Sequence, residues 1–201
     1  MHFLDPIFIV KTLGVLGVIA IVFTESGLFF GFFLPGDSLL FTAGLLASQG
    51  YLNFWPLLLG CTVAAILGDS VGYAFGRKVG PALFAREDSR FFKKTYLERT
   101  KKFYEVYGKK TIILARFIPI VRTFAPILAG VAGMNYRIFL SYNIIGGIGW
   151  VVSLTTGGFV LGRAVPNIDL YIIPIVIFII IASLVPSILE LWRSRRNSSA
   201  E

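Results

Sequence analysis

Five ionisable residues of this 201-residue chain, Glu25, Asp37, Asp69, Arg116 and Arg122, lie inside long apolar stretches. The two acids Glu25 and Asp37 are 12 positions apart, and the two arginines are six apart. An arginine at the centre of a membrane-inserted helix costs at least ~2.5–3.5 kcal/mol, so two in one stretch argue against a plain lipid-facing span. Arginine keeps its proton and needs a carboxylate or a ligand anion beside it. Glu25 and Asp37 can supply that charge and, unlike arginine, can be neutralised by a proton. The chemistry on offer is therefore binding of an anion at membrane depth, under the control of acids that titrate. Simpler roles stay open for three of the residues. Arg116 can snorkel towards an interface, Asp37 follows Pro35-Gly36 and suits a turn or helix cap, and Asp69 suits an interhelical polar contact.

The elements that must position these residues can be read from apolar length and proline placement. Residues 111–133, TIILARFIPIVRTFAPILAGVAG, carry both arginines and are interrupted by Pro119 and Pro126. Each proline removes a backbone donor, and broken backbone at membrane depth is tolerated only against protein or a water-filled cavity. We expect a re-entrant hairpin with legs of about 11 residues, or ~17 Å of helix, against ~30 Å of hydrocarbon. Its midpoint is Arg122. Residues 27–47 form a second such hairpin with Asp37 at its midpoint. Around the hairpins we expect a first helix at 12–26, full spans at 54–76, 138–162 and 170–191, a basic segment at 77–110 and a polar tail at 193–201. Glu25 interrupts the first apolar run where a cleavage site would begin, so that segment is expected to be retained as a helix.

Composition agrees with one all-α polytopic membrane domain over 1–201: 56% of residues are hydrophobic and 15% charged. The net charge of +8 is uneven, with 11 of the 19 Lys and Arg between Arg77 and Lys110 and three more at Arg193, Arg195 and Arg196. The positive-inside rule places both clusters in the cytoplasm. Two spans follow residue 133, so 111–133 must enter and leave by the cytoplasmic face. The same logic makes 27–47 enter from outside, with both termini cytoplasmic. Within the basic segment, 88–107 brings Phe92, Tyr96, Phe103 and Tyr107 near one helical face. That pattern fits an amphipathic helix on the inner leaflet, which gathers anionic lipid or simply anchors.

Other classes lack their parts. The bases flank apolar segments without a nucleic-acid motif, so no nucleic-acid partner is expected. Cys61 is the sole cysteine and forms no intrachain disulfide. The only histidine is His2, and there is no phosphate-binding glycine loop. We therefore expect no enzyme, no metal site and no cofactor.

The sequence also repeats. Phe33-Leu34-Pro35 echoes Phe117-Ile118-Pro119 at an offset of 84, and Ala43-Gly44 echoes Ala129-Gly130 at 86. Gly72-Tyr73-Ala74-Phe75-Gly76-Arg77 echoes Gly158-Phe159-Val160-Leu161-Gly162-Arg163, again at 86. Each unit is a hairpin plus a span, and the topology inverts the second relative to the first, as in secondary transporters.

FTESGLFFGFFLPGDSLL, GDSVGYAFGRKVG, FYEVYGKKTIILARFIPIVRTFAPILAG and YNIIGGIGW together resemble the DedA family of integral membrane proteins over nearly the whole chain. The family shares the domain of the eukaryotic VTT lipid scramblases. Its pattern implies an acid at Glu25, a second at Asp37, and paired arginines at Arg116 and Arg122. The resemblance further implies a bacterial inner-membrane location, dependence on the proton-motive force and, for some members, return of undecaprenyl phosphate across the membrane. The expected function is translocation of a lipid phosphate. Arg116 and Arg122 would hold the head group by charge-assisted bidentate hydrogen bonds. Glu25 and Asp37 would occupy the arginines in the empty state and couple transport to protons, with sodium as the alternative ion. Expected partners are a phosphate-bearing polyprenyl lipid or phospholipid, with a homodimer left open. Competing readings are a general phospholipid scramblase, a proton- or sodium-coupled small-ion carrier, and a non-transporting scaffold that recruits partners through its basic loop.

Overall fold

The computed structural model describes residues 6–27, 36–84, 111–113, 116, 119–165 and 174. Among them every regular element is helical: α1 (Pro6–Gly27), α2 (Gly36–Ser48), α3 (Phe54–Phe84), α4 (Pro119–Val131) and α5 (Tyr136–Ala164). Helix α1 starts ahead of the expected residue 12 and bends at Gly14, whose φ is 61°. Helices α2 and α4 occupy the later parts of the stretches 27–47 and 111–133. Asp37 and Arg122, the expected midpoints of the two hairpins, instead lie inside the first turns of α2 and α4, while the 88–107 segment, the 193–201 tail and all but residue 174 of the 170–191 span lie outside the described residues. Helix α3 continues eight residues past 76 into the basic stretch. Arg77 and Lys78 are good helix formers whose long stems let the charge leave an apolar surface, so their charge alone does not end a helix.

The chain divides into two compact units, one of Met1–Val18, Pro35–Leu57 and Ser153–Glu201, the other of Ile19–Leu34 and Leu58–Val152. In the first, α2 packs on the C-terminal half of α5. Leu39, Leu40, Leu45 and Leu46 are fully buried there. The helices approach closely enough that a Cβ at Gly44 would strike the Thr155 carbonyl oxygen, and one at Gly158 the Phe41 carbonyl oxygen. The Phe54 and Phe159 rings lie 4.5 Å apart, and Gln49 Nε2 donates to the Gly162 carbonyl at 2.9 Å.

In the second unit, α4 packs on α3 by the same device. A Cβ at Gly130 would strike the Tyr73 carbonyl oxygen, and one at Gly76 the Ile127 carbonyl oxygen. The end of α1 also rests on α3, where a Cβ at Gly27 would come within 3.1 Å of the Gly68 backbone. Tyr73, Ile112, Ala129 and Phe139 form the buried cluster beside the α3–α4 crossing, with the Tyr73 and Phe139 rings stacked at 4.7 Å. The Tyr73 hydroxyl donates to the Met134 carbonyl in the turn after α4. Tyr73→Phe is expected to cost about 1 kcal/mol through loss of that bond, read as a lower melting temperature in detergent with secondary structure unchanged.

The ends of α2 and α4 are built alike. Gly50 and Gly133 take positive φ (82° and 73°), as the residue just past a helix often must. Tyr51 N donates to Leu46 O and Gly50 N to Ala47 O, while Met134 N donates to Ala129 O and Gly133 N to Gly130 O, all at 3.0–3.1 Å. Helix α5 then starts on Asn135, whose Oδ1 accepts from Arg137 N at 2.9 Å.

The two helix crossings share a contact pattern. At each crossing, a glycine meets the carbonyl three residues before its partner glycine: Gly44 with Gly158, and Gly130 with Gly76. The offset is thus 86 between Gly44 and Gly130, 83 between the end glycines Gly50 and Gly133, and 82 between Gly76 and Gly158. Helix α4 is shorter beyond its crossing by three residues, and its turn by one. The sequence match at 86 in the long helices differs by one helical turn from the spacing of 82 between the crossing glycines. It arises because α3 carries glycine at every fourth position, Gly68, Gly72, Gly76 and Gly80, so the motif overlays itself when shifted by four.

Phe54–Gly80 in α3 and Tyr136–Ala164 in α5 are long and apolar enough to cross a membrane. Trp55, Leu59, Val63, Leu67, Val71 and Phe75 form an exposed stripe at four-residue spacing along α3. A soluble protein rarely leaves such a surface uncovered, whereas lipid wets it.

Candidate functional site

Four of the five ionisable residues meet in the second unit, as two ion pairs. Arg116, in a turn between 111–113 and α4, donates through Nη2 to Asp69 of α3 and to Oδ1 of Asn143 of α5, and reaches the Ala65 carbonyl at 3.5 Å. Asn143 is fixed in turn, since its Nδ2 donates to the Ile66 carbonyl at 3.0 Å. Gly146 and Gly147 of α5 form a wall against the guanidinium, where added Cβ atoms would lie 3.1 Å from Cδ and 3.4 Å from Nη2. Arg116 Nε is buried with no hydrogen-bond partner among the described residues.

Arg122 is the fourth residue of α4. Its Nη2 donates to Oε1 of Glu25 near the end of α1, and its Cζ lies 4.8 Å over the ring of Trp150 on α5. Pro126 cannot donate to the Arg122 carbonyl four residues back, so the helix ladder is interrupted at the arginine. The Arg122 side chain keeps 12% of its surface exposed, against 5% for Arg116.

The two pairs balance one another in charge, which is the condition for burying four ions at all. Arg116 has three oxygen partners and a glycine wall, and the partners of Arg122 include an acid that can be neutralised and an aromatic face. Asp37 stands in the first turn of α2, in the other unit, where the helix dipole favours an acid. No group of three or more His, Cys, Asp or Glu able to hold a metal occurs among the described residues.

Asn143 and Trp150 escape a reading based on charge. Their signal is spacing: Asn143, Gly146, Gly147 and Trp150 recur at i, i+3, i+4 and i+7, one face of α5. A lone amide in an apolar span, in line with paired glycines and an indole, marks a face that meets polar groups.

Residues 34–160 match the VTT domain. The DedA protein of Escherichia coli K12 is 46% identical over 181 residues, covering 89% of this chain and 82% of that protein. The chain belongs to the DedA family of VTT-domain membrane proteins. Other relatives include an uncharacterized membrane protein of Mycobacterium leprae, 43% identical over 98% of this chain and 90% of its own length. The inner membrane protein YqjA of E. coli K12 is 33% identical over 87% of this chain and 82% of its own length. No solved structure matches.

Proposed function

We propose that this DedA-family chain is a non-enzymatic transporter that carries the phosphate head group of a lipid, undecaprenyl phosphate foremost, across the bacterial inner membrane under the proton-motive force. The observation that carries this reading is the Arg122–Glu25 pair beside Trp150, buried among helices long enough to span a bilayer. An arginine so placed needs an anion, and its present one can be removed by a proton. Protonation of Glu25 frees the guanidinium, which then accepts a phosphate by charge-assisted hydrogen bonds. Arg122 lies in the first turns of α4, where the positive end of the helix dipole adds to the attraction. Arg116 adds a second positive charge to the site, and Asp37 takes the proton-linked role in the first unit. In this reading 27–47 and 111–133 enter from opposite faces as inverted re-entrant hairpins, the two repeats provide alternating access, and both termini are cytoplasmic.

Head-group translocation in proteoliposomes tests the reading, comparing undecaprenyl phosphate with a zwitterionic phospholipid for wild type and Arg122→Ala. Fast movement of the phosphate lipid alone, slowed at least tenfold in the folded variant, is the expected result. Equal movement of both lipids would indicate a general scramblase. Movement of neither, with uptake of a soluble ion, would replace the lipid by a small-ion cargo. Retained function in folded Arg116→Ala and Arg122→Ala proteins, with loss on charge changes in 86–102, would indicate a scaffold.

A further inference from the structure

We infer that Trp150 is a positioning residue that keeps the Arg122 guanidinium at the site when Glu25 lets go of it. This deepens the lipid-phosphate reading and rests on it. Three elements converge on Arg122: α4 carries it, α1 supplies Glu25 and α5 supplies Trp150. Both partners are almost wholly buried, at 1% and 3% exposure. The two contacts are of different kinds. A carboxylate meets the N–H edge of a guanidinium, and so does a phosphate, so those two compete for the same donors. The indole attracts the cation through its π face and takes up none of the oxygen-accepting geometry. Trp150 can therefore stay in contact while Glu25 and a phosphate exchange. An arginine has a long flexible stem that can carry its charge towards water; the ring opposes that movement, and the N–H edge stays where the phosphate must arrive.

The ring must also be large and electron-rich, and tryptophan is the best of the three aromatic side chains in this role.

The test uses the full chain in nanodiscs and binding of radiolabelled undecaprenyl phosphate, with undecaprenol as the neutral control. Trp150→Leu is expected to weaken binding about tenfold, or about 1.4 kcal/mol, and Trp150→Phe by less. In an Arg122→Gln background, which itself binds weakly, adding Trp150→Leu is expected to change nothing further. A purely structural tryptophan would instead lower affinity by the same factor in both backgrounds. A second readout needs no ligand-binding assay on the variants. With Trp55→Phe and Trp192→Phe in place, the emission of Trp150 is expected to shift on Arg122→Gln, and to keep its unsubstituted-Arg122 wavelength when undecaprenyl phosphate saturates the protein. Wild-type affinity in both Trp150 variants would overturn the inference, as would equal losses with and without Arg122. Should Trp150→Leu fail to fold, Trp150→Phe and the emission shift decide: unchanged affinity with no shift overturns it. A wild type that binds undecaprenyl phosphate no better than undecaprenol would overturn the lipid-phosphate reading, a different outcome from a wild type that binds and a Trp150 variant that binds equally well.

Discussion

Asp69→Asn is expected to destabilise the protein by roughly 3–5 kcal/mol, the cost of leaving one member of a buried ion pair without its partner. Arg116 would keep Asn143 Oδ1 and the Ala65 carbonyl, both dipoles, and lose the carboxylate paired with it. The glycine wall of Gly146 and Gly147 leaves the guanidinium no route to relax. Arg116→Gln is expected to cost a similar amount, because it strands the carboxylate. The double variant Asp69→Asn/Arg116→Gln should recover most of the loss, since two neutral amides of suitable length can bond to each other and neither ion remains to be desolvated. Melting in a fixed detergent would show drops on the order of 10 °C for the singles and a much smaller drop for the double. Additive losses would mean that the two charges do not form one unit. Glu25→Gln should cost less than Asp69→Asn, because Arg122 keeps its contact with Trp150 and its partial exposure.

That asymmetry shows where the sequence is legible and where it is not. Each of the four buried charges can be picked out from the apolar run around it, because the bilayer penalty acts on each residue separately. Their partners cannot be picked out. Whether Arg116 meets Asp37 or Asp69 depends on which helices cross and at what height, and Asp69 is 47 residues away in the chain. Asn143 is harder still, since an uncharged amide carries no large penalty to announce it. The long helices are legible for the reason that single charges are: continuous apolar length has one physical meaning. Their ends are less so, and α3 runs through Arg77 and Lys78 because a helix stops for backbone reasons rather than for charge. The match between the two halves of the sequence rests on glycines and prolines, and a four-residue glycine ladder cannot by itself fix a register, since it is blind to slips of one turn.

Gly130→Leu is expected to abolish the folded protein, and the reason lies in how helices adhere in lipid. Lipid tails are as apolar as leucine, so helix association there relies on close van der Waals contact and polar bonds, and small residues let backbones come together. At Gly130 the obstacle is backbone: a Cβ would strike the Tyr73 carbonyl oxygen and lie 2.7 Å from Arg77 N. Neither atom belongs to a side chain that can rotate away. Even Gly130→Ala must push α4 off α3, at a cost of about 1–3 kcal/mol or more. The consequence reaches the site, because Arg122 stands eight residues before Gly130 on α4, ~12 Å along the helix. Tilting or lifting α4 at the crossing moves the guanidinium away from Glu25. Gly44→Ala should cost a similar amount, as its Cβ would meet the Thr155 carbonyl oxygen in the same way. Gly149→Ala is the control, since a Cβ there meets nothing within 4 Å, and alanine is favoured over glycine in a helix by about 0.5–1 kcal/mol. Melting temperatures in one detergent, with Gly44→Ala and Gly130→Ala falling together while Gly149→Ala holds or rises, would show that the glycine crossings fix the helix positions. A Gly130→Ala protein as stable as Gly149→Ala would mean that α4 is free to shift on α3, and that Arg122 is held in place by its own contacts instead.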